Sequence, residues 1–196
     1  MSGPEALCTT MKMLAPGYEI RSARLEELPQ LAAIEQSAAS LFTNTPYAFL
    51  VEAAPLPYEV VLEQFRAGQV WVAIAKQSAV IGYVVTKPVE HTLYLQQIDV
   101  EPAHGRRGIG SALIGAVSVW AHQRGYSTLS LSTFRTIPWN APFYASLGFE
   151  PLNEAELSAE FQHIRRQEAE AGLPIADRVI MLCHKLPIEI ENRAKR

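Results

Sequence analysis

The sequence predicts one α/β (α+β) domain, a mixed sheet with helices on both faces. Three observations carry that reading. Two apolar runs, Val70–Ala75 and Ala79–Val85, flank Lys76-Gln77-Ser78, a hairpin by length and chemistry. Leu93–Val100 is a third strand pattern, and it feeds a basic, glycine-rich turn. A long apolar helix follows, and Thr128–Ser132 returns as another short strand. Strands first, then strand–helix–strand, build a sheet of mixed direction with helices to cover it.

Composition bounds the function before any motif does. At 196 residues the chain is one domain, large enough for a core without staples. With 48% hydrophobic and 19% charged residues it is an ordinary globular sequence. A formal net charge of −3 argues against a general nucleic-acid binder, which needs a basic excess to neutralise phosphates. The two cysteines, Cys8 and Cys183, make no disulfide framework, so a reducing cytoplasm is the expected home. No apolar run approaches the roughly 20 residues of a membrane span. The N-terminus lacks the charged start and apolar block of a secretory signal.

Residues 1–16 have no periodicity and read as a flexible leader, with the domain over 17–187 and a charged tail over 188–196. Tyr18–Ala23 alternates as a first strand. Leu28, Leu31, Ala32, Ala38 and Phe42 trace an amphipathic helix, with Pro29 tolerated in its first turn. Glu35 falls on the same apolar stripe. It either snorkels at the edge or sits partly buried with a raised pKa. Phe42–Pro57 is a loop with room for a short helical turn. Its aromatics Phe42, Tyr47 and Phe49 either line an acceptor pocket or plug the sheet edge. Tyr58–Ala67 is a second helix, stopped by Gly68. Pro88-Val89-Glu90-His91 separates the second and third strands. Beyond the central helix, Thr133–Pro138 is a loop and Pro138 opens a short helix reaching Leu147. Gly148 stops it and Phe149 begins a strand. Glu154–Ala171 is helical, with Leu157, Phe161, Ile164 and Glu168 on one side and Gln162–Arg166 a solvated run. Arg178–Leu186 is the last strand.

The turn between the third strand and the central helix is the chemical centre. It reads Glu-Pro-Ala-His-Gly-Arg-Arg-Gly-Ile-Gly-Ser-Ala-Leu from Glu101. Gly105, Gly108 and Gly110 allow close backbone approach and turns that other residues resist. Amides at a helix N-terminus point at an anion and the helix dipole adds to the attraction. Arg106 and Arg107 supply charge beside it. The spacing is neither the eight-residue phosphate loop nor the dinucleotide fingerprint, so a tight loop before a packed helix is the competing reading.

Pro102–Leu113 resembles the pyrophosphate-binding segment of the GCN5-related N-acetyltransferases, the GNAT family. Gly108 and Gly110 fill that family's two glycine positions, while Gly105 stands where Gln or Arg is usual. Phe143-Tyr144-Ala-Ser-Leu-Gly-Phe149 is similar to a second family segment, in the family order and at the family separation. The resemblance implies a GNAT-like, mostly antiparallel twisted sheet and acetyl-CoA (coenzyme A) as cofactor. It implies that amides of Ile98 and Val100 run beside the pantetheine arm, and that Gly105, Arg106, Arg107, Gly108, Ile109, Gly110 and Ser111 hold the diphosphate. Tyr144 becomes the general acid beside the cofactor sulfur; a core aromatic is its plainer role. Asn140 resembles the family's cofactor-contacting asparagine, although it stands nearer the tyrosine than is common.

Many relatives carry a glutamate base on the strand before the turn. Gln96 and Gln97 occupy that stretch here, and neither accepts a proton usefully. Glu35 is the first candidate base, with His91, Asp99 or a water chain as alternatives. Phe42, Tyr47, Phe49 and Gln97 are the substrate-binding candidates. No cluster has zinc spacing, and Ser132-Thr133 lacks a nucleophile elbow. The expected activity is acetyl transfer to a primary amine by direct attack in a ternary complex. A small-molecule acceptor is the first reading. A peptide or protein amine and a non-catalytic acyl-CoA sensor are the rivals. Exposed strand edges leave room for a homodimer.

Overall fold

A computed structural model of the chain describes residues 14–76, 79–184 and 186. The predicted leader up to residue 13, the hairpin residues Gln77 and Ser78, and the tail beyond Leu186 lie outside the described residues. The sheet has seven strands: β1 Tyr18–Ser22, β2 Val70–Ala75, β3 Val80–Val89, β4 Thr92–Val100, β5 Leu129–Phe134, β6 Glu150–Pro151 and β7 Arg178–Cys183. Their order is β1-β2-β3-β4-β5-β7-β6. β1–β2, β2–β3, β5–β7 and β6–β7 pair antiparallel, while β4 pairs parallel with β5 through Leu93–Leu129 and Tyr94–Ser130. The sheet is therefore mixed and mostly antiparallel. The α-helices are α1 Leu28–Ala39, α2 Tyr58–Arg66, α3 Ile109–Gln123, α4 Ala141–Ala145 and α5 Ala159–Glu170. Among the described residues, no helix is long and apolar enough to cross a membrane.

The chain divides into two compact units. One takes the described residues up to Lys87 together with Leu95–Val117. Its core joins Leu28, Leu31 and Ile34 of α1 and Val61 of α2 to Val70, Val72 and Ile74 of β2 and Tyr83 and Val85 of β3. β2 is buried from Val70 through Ile74, which is why it reads as a continuous apolar run. Each such aliphatic side chain withdrawn from water stabilises the fold by about 1.5–3 kcal/mol. The Ala75 amide donates to the Ala79 carbonyl (2.9 Å) and closes the hairpin.

The other unit takes Pro88–Tyr94 and the described residues from Ser118 onward. Val89 and Tyr94 pack there with Phe161 and Ile164 of α5 and Ile180 of β7. Four expectations are corrected. Pro88 does not separate two strands: β3 continues to Val89, with Pro88 exposed close to the strand end, and the turn is confined to Glu90-His91. The helix before Gly148 starts at Ala141, not Pro138, so Pro142 is the proline in its first turn. The Glu154–Ala171 helix is broken: Glu154–Glu156 is one 3-10 turn, and α5 starts after Ser158, whose hydroxyl caps the Phe161 amide (3.3 Å). The last strand stops at Cys183 rather than Leu186.

Nor is Gln162–Arg166 a wholly solvated run, because Arg165 is 8% exposed. Its Nη2 donates to Glu154 Oε1 (2.6 Å) and to the Ile175 carbonyl (3.0 Å). Glu168, one turn on, accepts from Arg178 Nη2 (2.5 Å), whose guanidinium also lies 4.7 Å from the Phe134 ring centre. These charges pin α5 to β7. A buried pair adds little beyond what well-packed apolar side chains would, but halving one strands a charge away from water. Glu168→Ala is therefore expected to cost about 3–5 kcal/mol in chemical denaturation, and Glu168→Gln, which keeps an acceptor, clearly less.

Candidate active site

The basic turn begins where β4 ends. Gly82 of β3 lies so close to β4 that a β-carbon there would stand 2.9 Å from the Asp99 carbonyl oxygen. The Glu101 amide donates to the Ile81 carbonyl (2.8 Å), and the Glu101 carboxylate accepts from Ser37 of α1 (2.5 Å). A 3-10 turn over Pro102–His104 then engages the His104 and Gly105 amides with the Glu101 and Pro102 carbonyls. Arg106 (φ 60°) and Gly108 (φ 80°) take left-handed backbone. Gly105 does not (φ −59°); there a β-carbon would sit 3.2 Å from the Pro102 carbonyl oxygen.

Helical bonding starts only at the Ala112 amide, which donates to Gly108 (2.9 Å). Among the described residues, no main-chain carbonyl takes the amides from Arg106 through Ser111. A run of donors at the start of a 15-residue helix is what an anion needs. Arg106 is exposed. Arg107 is turned toward its own chain, donating to the Tyr18 hydroxyl (2.5 Å) and more weakly to the Ala103 carbonyl (3.5 Å). The Tyr18 hydroxyl also bonds His104 Nδ1 (2.9 Å), and the Ala15 amide donates to the Arg107 carbonyl (3.2 Å).

Two carboxylates meet in the same unit. Glu35 Oε2 accepts from the Leu56 amide (3.0 Å) and from the Tyr83 hydroxyl (2.8 Å). Burial raises the Glu35 carboxyl above its ordinary value, and those two hydrogen bonds only partly offset it. Its stripe position is thus the partly buried alternative, not the snorkelling one. On β4, Asp99 Oδ2 accepts from Gln97 Nε2 (2.7 Å). Loss of hydration, with the Glu35 charge adding to it, pushes the Asp99 carboxyl up to about 7. Tyr83 itself is 1% exposed and held protonated far above its usual range, chiefly by burial. Gln97, read as a substrate-binding candidate, is the donor to Asp99. Ile98 and Val100 flank that aspartate, all three half-buried.

The loop aromatics divide. Tyr47 is buried, Phe42 half-buried, and Phe49 is 46% exposed on a 3-10 turn over Ala48–Glu52. Tyr144 and Asn140 belong to the other unit. Tyr144 is 8% exposed on α4, with Phe143 and Phe149 at ring-centre distances of 5.2 and 5.7 Å. Asn140 Nδ2 donates to Thr133 (2.8 Å), and its buried side-chain Oδ1 has no partner. His122 and His163 are exposed, and His91 is too. No group of three or more metal-ligating side chains occurs among the described residues.

Sequence reasoning brought Glu35 into view and missed Tyr83, which donates to it. The available signal was a tyrosine inside an aliphatic strand, where a buried hydroxyl demands a partner. The contacts from Ser37 to Glu101 and from Tyr18 to the turn left no such mark.

A raised carboxyl has a signature in stability. Asp99 moves from an ordinary 3.8 when unfolded to about 7 when folded, so between those values the folded state holds the extra proton. Its contribution is complete below about pH 4 and is lost as pH rises through about 7. Asp99→Asn is expected to flatten that decline, read as the urea midpoint at pH 4.5 and pH 8.

The description "Acetyltransferase (GNAT) family" is that of a family model matching residues 32–149, more than half of the chain. Solved structures agree in fold. The ribosomal-protein-S18-alanine N-acetyltransferase of Escherichia coli is 20% identical, with a TM-score of 0.57 over 89% of this chain and 97% of that one. The PaiA N-acetyltransferase of Thermoplasma acidophilum, solved with coenzyme A, is 17% identical, with a TM-score of 0.61 over 85% and 98%. A GNAT acetyltransferase of Brucella melitensis, solved with acetyl-CoA, is 20% identical, with a TM-score of 0.50 over 68% and 82%. On the family match, reinforced by the mixed sheet and the amide-lined turn, the chain belongs to the acetyltransferase (GNAT) family.

Proposed function

We propose that this chain is an acetyl-CoA-dependent N-acetyltransferase acting on a primary amine, with a small molecule as the acceptor. The amide run from Arg106 to Ser111, with no carbonyl partner among the described residues, carries the reading. It fits a diphosphate: six successive donors, a left-handed Gly108 and the N-terminus of α3 behind them. Acetyl-CoA would supply an activated acetyl thioester there.

The chain's own residues do the rest. An ammonium acceptor must lose a proton before it can attack, and a base serves best when its pKa lies near the working pH. Asp99, at about 7 and beside Glu35, meets that condition without the strand glutamate of many relatives. Tyr144 is the proposed general acid for the departing thiolate, on its spacing to Gly148-Phe149. Asn140, with its unpartnered side-chain Oδ1, and Ile98 and Val100 are proposed cofactor contacts. The connection from α1 to α2, tied to Glu35 through the Leu56 amide and anchored by buried Tyr47, favours a small enclosed acceptor. A peptide acceptor is the rival, favoured by the exposure of Leu41 (43%) and Phe49.

Thiol release from acetyl-CoA, screened over small amines and short peptides, tests the assignment. Turnover on small amines is the expected result; turnover on peptides alone would favour the rival, and none on either would overturn catalysis. Tyr144→Phe is expected to lower kcat about 10- to 100-fold with little change in coenzyme A affinity. Gly108→Val forces a branched side chain into left-handed backbone and crowds the diphosphate. It is expected to weaken coenzyme A binding at least about tenfold by calorimetry.

A further inference from the structure

We propose that Glu35 is the acceptor-recognition residue, and that its Oε1 receives a second, non-reacting ammonium group on a small diamine acceptor. The inference rests on the transferase reading and narrows its substrate class. The geometry of one carboxylate carries it. The Leu56 amide (3.0 Å) and the Tyr83 hydroxyl (2.8 Å) both donate to Oε2, so the carboxylate is fixed from two directions. Oε1 accepts no hydrogen bond among the described residues, and it is not one of the oxygens sealed from water without a partner. An ionised carboxylate offers lone pairs on both oxygens. Here one oxygen serves the fold and the other is left for a donor from outside.

The donor that fits is a cation. No positive group stands among those acting on the Glu35 carboxyl, and an anion drawn out of water without one is costly. Residues 28–65 hold four glutamates and no lysine, arginine or histidine. Glu52, Glu59 and Glu63 are exposed, and Glu35 is the one drawn half into the fold. An ammonium supplies the counter-charge that this stretch lacks, through a charge-assisted N–H bond to Oε1. α1 also carries Ser37, whose hydroxyl donates to Glu101 (2.5 Å) where the basic turn begins, so the recognition group and the turn share one support. An ion pair keeps an amine protonated, which opposes its attack on a thioester. Glu35 therefore suits the nitrogen that stays charged, and the reacting amine is left to the base proposed above. Two nitrogens on one short chain make the acceptor that this arrangement selects.

Steady-state kinetics with acetyl-CoA compare butane-1,4-diamine, butylamine and 4-amino-1-butanol, which differ only at the far end. Wild type is expected to prefer the diamine by about tenfold in kcat/KM, the scale of one charge-assisted hydrogen bond. Glu35→Gln keeps an acceptor oxygen for the Leu56 amide and the Tyr83 hydroxyl. It is expected to raise KM for the diamine about tenfold, to lower kcat much less, and to erase the preference over butylamine. A fall in kcat at constant KM would make Glu35 the base, and an undiminished preference would remove it from recognition; either result overturns the proposal. The free, isotope-labelled protein gives a second readout without turnover. There, butane-1,4-diamine is expected to shift the Leu56 amide signal to saturation, while neutral butane-1,4-diol leaves it in place and Glu35→Gln loses the response. A Leu56 signal that ignores the diamine would overturn the proposal even where other amines are acetylated. If no amine is turned over, the transferase reading fails and the NMR titration still decides whether Glu35 receives an ammonium.

Discussion

The approach of β3 to β4 at Gly82 is the constraint on which the site depends. With hydrogen in place of a side chain, the Asp99 carbonyl comes within the space a methyl would fill. The strand end is thereby held between the Ile81 carbonyl and Ser37 of α1, each gripping Glu101. Two consequences share that anchor. Asp99 stays where the Gln97 side-chain amide donates to its carboxylate, and the chain leaves β4 into the basic turn. Moving the strand would disturb the Asp99 carboxyl and the basic turn together.

Water exclusion does the chemical work in this unit. Neither carboxyl has a cation beside it, so each answers burial by holding its proton more tightly. Contrast Glu27, also largely buried, whose carboxyl the Arg21 guanidinium holds below the usual range. Two glutamates some eight residues apart thus differ in character because one faces an arginine and the other a phenol. The raised Asp99 carboxyl comes from that missing counter-charge, and so does the loss of stability that accompanies it at higher pH.

Much of this was legible in the sequence. Hydrophobic period placed the longer strands, the Gly148 stop announced the short exposed β6, and Gly108 with Gly110 marked the turn, because backbone constraints leave residue-level traces. What failed were features set by distant partners. Arg165 sits in a run of polar residues and reads as solvated, yet it is buried because Glu154 and Glu168 meet it in space. Pro138 and Pro142 are equally good openers of a short helix, and only packing chooses the second. Gly105 was read together with Gly108 and Gly110 as allowing turns that other residues resist. Arg106 takes the left-handed backbone instead, since Gly105 is needed to clear the Pro102 carbonyl. Glu35 was drawn out by its stripe and Asp99 by its place on β4. The Tyr83 hydroxyl that donates to Glu35 needed three-dimensional proximity that no spacing encodes.

The stitch between the start of the domain and the basic turn carries a practical lesson. Ala15 and Tyr18 lend Arg107 a hydrogen-bond donor and an acceptor, so this short stretch forms part of the basic turn's scaffolding. Trimming the polypeptide just ahead of β1, as is common when tidying an expression plasmid, would therefore slacken the basic turn. Purification handles placed there deserve a generous spacer.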